Sequence, residues 1–288
     1  MKKNIKTVAL FLLLGLGAPL ALFAQPNNNV TESGNVKKET PRDNFYDRYL
    51  HTEERVIPYD YVHEKDVFWE KRIWRLIDIN EKRNHIFKDE NNPFLNILFD
   101  GAEQGDMTFY HVMDDKFSTP MTSEEVRGLR FSKDTVYTID PETFEESWVV
   151  VENELNWEDI KHYRIKEVYF FDEETSTMGV RILGIAPIIE RLDDNGNYLN
   201  SGPLFWAYYP ELREVLAQTE VFNSHNDAAR MSWEDVFEAR LFDSYIIKEG
   251  NVYNRRIKDY VNNPMDILLE SQKIKESIFN FEHDLWSY

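Results

Sequence analysis

From Tyr59 to Asn84 the chain reads YDYVHEKDVFWEKRIWRLIDINEKRN, a mixture of aromatic, charged and aliphatic residues with a clear apolar period. At 3.6 residues per turn, Val62, Trp69, Ile73, Leu76 and Ile77 share one face, Val67 and Trp74 widen it, and charges fill the rest. The period predicts a long helix over about 60–80, with a core on one side and a partner on the other. Asn92-Pro93 predicts the start of a shorter helix: Asn caps, Pro suits the first helical position, and Gly101 is a natural terminator. Phe94, Leu95, Leu98 and Phe99 would then face the core. Thr122-Ser-Glu-Glu125 has the spacing of a capping box before another short helix.

The middle of the chain changes to strand formers. Short β-like runs lie at Thr135–Ile139 and Trp148–Val151. Residues 163–186 read as a hairpin: Tyr163, Ile165, Val168, Phe170 and Phe171 face Val180, Ile182 and Ile185 across the polar turn Asp172–Thr177. Asp193–Asn197 is a second turn, ahead of a strand over Leu204–Tyr209. Helices return with Ser232 and Asp235 capping Val236–Ile247, which would stop near Gly250. Asn263-Pro264 opens a final helix carrying Ile267, Leu268, Ile274, Ile278 and Phe281. This order predicts an α+β fold, with central antiparallel strands and helices on the N- and C-terminal sides of the domain. No repeat of about 20 to 50 residues is present, which excludes solenoids and propellers.

The first 24 residues have a different logic. Lys2, Lys3 and Lys6, an apolar run from Val8 to Leu16, and Leu22-Phe23-Ala24 ahead of Gln25 predict a cleaved secretory signal over 1–24. The apolar run is too short, and too interrupted by Gly15, Gly17 and Pro19, for a membrane-spanning helix. Residues 25–55 are polar and carry almost no apolar period until Phe45, Tyr46 and Tyr49, so they predict a flexible arm that orders on a partner through those rings. Residues 56–288 would form a single globular domain. The absence of cysteine predicts that no lipid is attached and that any hold on the outer membrane comes from a partner.

Acidic residues outnumber basic ones 52 to 33, for a net charge of −19, and loss of a leader that carries only lysines makes the remainder more negative. Such a surface repels nucleic acid and anionic lipid, both of which are held by basic contacts. Of the histidines, His63-Glu64 begins a zinc signature, but Val67 stands where its second histidine would be. Ser224-His225-Asn226-Asp227 are sequence neighbours, and a catalytic triad is not built from neighbours. Asp193–Asn197 lacks the ligand spacing of a calcium loop, and the pairs Glu145-Glu146 and Glu173-Glu174 read as solvated surface. The expectation is a protein with no catalysis, cofactor or metal. Aromatic residues make up 14% of the chain, which predicts interfaces as well as a core. An alternative is a secreted ligand- or glycan-binding module whose cleft uses Trp148, Trp157 and Trp206.

A family likeness makes the first reading specific. Besides 59–84, the blocks YRIKEVYFFD (163–172), VRILGIAP (180–187), PLFWAYYP (203–210), VFNSHNDAAR (221–230), SYIIKEGNVY (244–253) and FNFEHDLWSY (279–288) occur in order from about Val56 onward. Together they resemble the gliding-motility and secretion family GldN, called PorN in its non-gliding members. The resemblance implies a non-enzymatic periplasmic subunit of the type IX secretion system, associated with the inner face of the outer membrane. It implies a ring shared with a GldK/PorK-like lipoprotein, self-association in that ring, and contact with the periplasmic part of a GldM/PorM-like motor component. Export of type IX cargo, and gliding where it occurs, would depend on it. Candidate interface residues are Phe45, Tyr46 and Tyr49 in the arm, Trp69, Arg72 and Trp74 in the aromatic segment, and Phe281, Leu285 and Trp286 at the end.

Overall fold

The computed structural model describes residues 56–288 except 114, 140–145, 193–197, 224, 225, 227 and 286–288, with the backbone alone over 132–139, 146–152 and 191–192. The leader, the arm with Phe45, Tyr46 and Tyr49, the Asp193–Asn197 turn and Trp286 lie outside the described residues.

In chain order the elements are β1 (Val67–Asp78), α1 (Phe94–Gln104), β2 (Phe109–Tyr110), α2 (Ser123–Arg130), β3 (Phe131–Ile139) and β4 (Glu146–Glu154). There follow β5 (Ile160–Asp172), β6 (Thr177–Leu192), β7 (Tyr198–Pro203), β8 (Trp206–Tyr208), α3 (Tyr209–Gln218), α4 (Trp233–Glu238), β9 (Tyr245–Glu249) and α5 (Pro264–Leu285). The main sheet runs β2-β8-β6-β5-β1-β9, with β7 also on β6, and β3 and β4 form a separate hairpin. Every pairing is antiparallel, and the fold is α+β.

The segment with the helical period is a strand. Residues 67–78 form β1, hydrogen-bonded to β5 along nearly its whole length and to β9 on the other side. Both readings are compatible with the residues, because a strand covered on both faces needs no strict alternation and its apolar positions can coincide with a helical face. Val67, Phe68, Trp69, Ile73, Trp74 and Ile77 are β-branched or aromatic, and two flanking strands turn that propensity into structure. The predicted helix over Val236–Ile247 is likewise two elements, α4 and β9. Arg240, at φ +53°, ends the helical path, and the chain then supplies the sheet's last strand. The predicted strand at 204–209 narrows to β8, with Tyr209 opening α3 and Pro210 in its first turn.

Local signals place the remaining elements. The Asp172–Thr177 turn joins β5 and β6, as the hairpin reading expects. Thr122 and Glu125 form a reciprocal capping box on α2, and Ser232 and Asp235 form another on α4. Asn263 Oδ1 accepts from Met265 N at 3.2 Å to open α5. Gly101 does not end α1: it is buried within the helix, where a Cβ would collide with Met107 Cε, and Gly105 at φ +84° terminates instead.

One face of the sheet carries the main core. Phe87, Phe94, Tyr163, Trp233 and Phe237 form a continuous aromatic cluster between the sheet, α1 and α4. A second cluster lies under α5, where Ile274 and Ile278 meet Ile73, Ile246 and Ile257. There the buried Ser271 Oγ accepts from Ile246 N at 2.8 Å, so a helix hydroxyl satisfies a backbone donor of the edge strand. Leu268 of the same helix is about half exposed.

Candidate partner-binding surface

The opposite face of the sheet has a distinct composition. Register places Trp74 of β1 between Lys166 of β5 and Lys248 of β9, and Leu76 beside Arg164. Farther along, Trp206 of β8 lies opposite Tyr110 of β2. The loop between β2 and α2 folds over this face, closed by His111 N to Thr119 O at 3.0 Å and by a bridge between Tyr110 and Pro120. Its Phe117, at φ +58°, inserts among Tyr110, Trp206 and Tyr208 at centroid distances of 5.7, 6.0 and 5.3 Å. Gly184 of β6 makes room for it, because a Cβ there would stand 2.5 Å from Phe117 Cζ and 3.0 Å from Ala207 O. The opposing wall is β9 and the loop after it, pinned by Asn251, whose side chain bonds Glu249 O, Arg255 O and Arg255 N at 2.8–2.9 Å.

Between these walls is a cleft of about 560 Å³ floored by Trp74 and Trp206. A second hollow of about 340 Å³, sharing Trp74, Asp115, Lys116 and Asn254, continues it toward Arg72. Lys248 Nζ sits 3.9 Å above the Trp74 ring centroid, and Lys166 Nζ lies 5.7 Å from Trp74 and 5.1 Å from Phe117. Lys166 also donates to Asp115 O. Burial, and then the nearby Arg256, pull the Arg164 guanidinium down to about 10, and burial also lowers the Lys248 ammonium. Trp74 Nε1 and Arg164 Nε are buried without a hydrogen-bond partner among the described residues. In a chain of net charge −19, this is a concentrated basic site.

The family model described as gliding motility associated protein GldN matches residues 62–287. The chain belongs to the GldN family. It is therefore a component of gliding motility and type IX secretion, and the matched span runs from just before β1 to the end of α5. No individual curated protein matches the chain. Among the described residues of this GldN domain, no helix is long and apolar enough to cross a membrane, and no group of three or more His, Asp or Glu could hold a metal ion.

The interface candidates separate by strand alternation. Trp69 points to the α5 side and stacks on Phe281 at a centroid distance of 4.6 Å and an interplanar angle of 25°, so these two candidates meet each other. Leu285 is half-buried at the end of α5. Arg72 and Trp74 lie on the cleft face, where Arg72 is exposed and pairs with Glu70 at 3.0 Å while Trp74 is buried as the floor. Of the tryptophans expected to line a glycan cleft, Trp206 joins Trp74, Trp157 packs against the main core, and the side chain of Trp148 lies outside the described residues. Arg164, Lys166, Lys248, Arg256 and Phe117 were not legible as a site, because their convergence depends on the β5, β1, β9 order. The alternation of Tyr163, Ile165 and Glu167 with Arg164 and Lys166 was the available signal.

The Trp69–Phe281 stack permits a direct check. Phe281→Ala is expected to lower the unfolding free energy by about 1–2 kcal/mol, from lost apolar area and ring contact. Urea melts read this; an unchanged midpoint would mean that the end of α5 does not rest on β1 in solution.

Proposed function

We propose that the chain is a non-enzymatic structural subunit of the type IX secretion system, acting in the periplasm at the inner face of the outer membrane. The family match over residues 62–287 carries this reading. In it, the subunit forms a ring with a GldK/PorK-like lipoprotein and further copies of itself, and receives the periplasmic part of a GldM/PorM-like motor component. The division of labour is a leader over 1–24, removed on export, an arm over 25–55 that docks through Phe45, Tyr46 and Tyr49, and a domain over 56–288.

The surface chemistry supports an assembly role. Met265, Leu268, Leu269 and Phe279 of α5 are exposed, and the basic aromatic cleft lies on another side of the same sheet. Deleting the gene is expected to stop export of cargo bearing type IX signals, and an affinity-tagged copy should recover a lipoprotein in stoichiometric amount from detergent-solubilised envelopes. Normal export in the deletion strain would overturn the reading.

A further inference from the structure

The cleft around Trp74 combines features that together define a ligand class. Its sign is positive: Lys116, Arg164, Lys248 and Arg256 line it, against Asp115 as the one acid among the described lining residues. Arg164, Lys248 and Arg256 form no ion pair with a carboxylate among the described residues, although carboxylates are abundant in the chain. Burial is the chief cause that depresses the charged forms of Arg164 and Lys248; repulsion from Arg256 adds to it for Arg164, and for Lys248 Asp115 opposes it while Arg256 and Arg164 reinforce it. An anion placed among them relieves that repulsion, and a low-dielectric cleft of one sign raises the local concentration of such an anion. Guanidinium groups recognise planar carboxylates through paired N–H donors.

The remaining lining identifies what carries the carboxylate. Val112, Met113, Pro203 and Ile247 add an aliphatic rim, with Met113 almost fully exposed at the mouth. The unbranched, polarizable side chain of methionine adapts to aliphatic groups of varied shape. Sugar recognition would need an open aromatic face, but Trp206 is 2% exposed, Trp74 is 7% exposed, and the Trp74 ring already has Lys248 above it. Nucleic acid needs basic contacts along an extended phosphate backbone, whereas here the cations are gathered in one cleft of a chain whose net charge is −19.

We propose that this cleft binds an acidic polypeptide segment of a partner protein, its carboxylates among Arg164, Lys248 and Arg256 and its interleaved apolar side chains against Val112, Met113 and Ile247. This names the chemistry of a partner surface and rests on the assembly reading only for the source of the segment. The N–H groups of Trp74 and Arg164, two residues of the cleft lining, are buried without a hydrogen-bond partner among the described residues.

The test uses the purified full chain and a fluorescein-labelled hexapeptide of alternating Glu and Leu, followed by anisotropy. Saturable binding that weakens with added salt is expected, as is loss of about tenfold or more in affinity for Lys248→Gln/Arg256→Gln. Arg256→Gln alone, in the loop after β9, carries the comparison if the double variant melts early, and Arg83→Gln, away from the cleft, should bind as the unaltered chain does. The proposal is overturned by absent binding, by equal binding of the Gln–Leu hexapeptide, by undiminished binding in the cleft variants, or by tighter binding of oligogalacturonate than of the peptide. Failure here, with export still lost on gene deletion, removes the cleft assignment alone. Intact export with peptide binding preserved removes the assembly reading instead.

Discussion

Arg240→Asn is expected to lower the unfolding free energy by about 3–5 kcal/mol, because it leaves a buried carboxylate without its cation. Glu167 is fully buried in β5, opposite Ile73 on one side and Ile182 on the other. Its Oε1 accepts from Arg240 Nη1 at 2.9 Å, and its Oε2 has no partner among the described residues. Arg240 holds φ +53° just after α4 and makes this contact from there. Asn tolerates this backbone, so the substitution isolates the electrostatic loss. Adding Glu167→Gln should recover much of the difference, since an amide is far less costly to bury than a lone charge. Urea denaturation of both variants near neutral pH measures it; a single-variant loss below about 1 kcal/mol would show that Glu167 reaches water in solution.

Phe94→Ala is expected to cost a similar amount, about 3–5 kcal/mol, by the different route of a cavity. Phe94 is wholly buried at the start of α1, with ring centroids of Phe87, Tyr163, Trp233 and Phe237 at 5.3, 5.2, 4.5 and 5.5 Å. These rings come from the short 3-10 helix Lys82–Lys88, β5 and α4, so one side chain joins three distant parts of the chain. Neighbouring aromatics are too rigid to close the void, which places the loss toward the upper part of the range. Phe279→Ala, on the exposed side of α5, should stay within about 0.5 kcal/mol, and comparable losses at both sites would contradict the packing described.

How much of this was legible follows the range of the interactions involved. The capping boxes at Thr122 and Ser232, the start of α5 after Asn263, and the β5–β6 hairpin depend on atoms a few residues apart, and all are where the residues predict. The α+β class follows from the order of those pieces. Residues 67–78 carry a helical period and strand propensity at once. Backbone pairing with β5 on one side and β9 on the other decides between them. The same pairing separates Trp69 from Trp74, sending one to the α5 side and the other to the cleft.

The residues themselves therefore determined the family, the fold class, the local starts and stops of elements and the strongly acidic balance, because each is written in short-range pattern or composition. Tertiary structure decided that β1 is a central strand, that Gly184 yields its space to Phe117, and that Arg164, Lys166, Lys248 and Arg256 gather on one face. Strand neighbours are chosen by whole-sheet burial and hydrogen bonding, so cations far apart in sequence become adjacent only when the sheet has closed around β1.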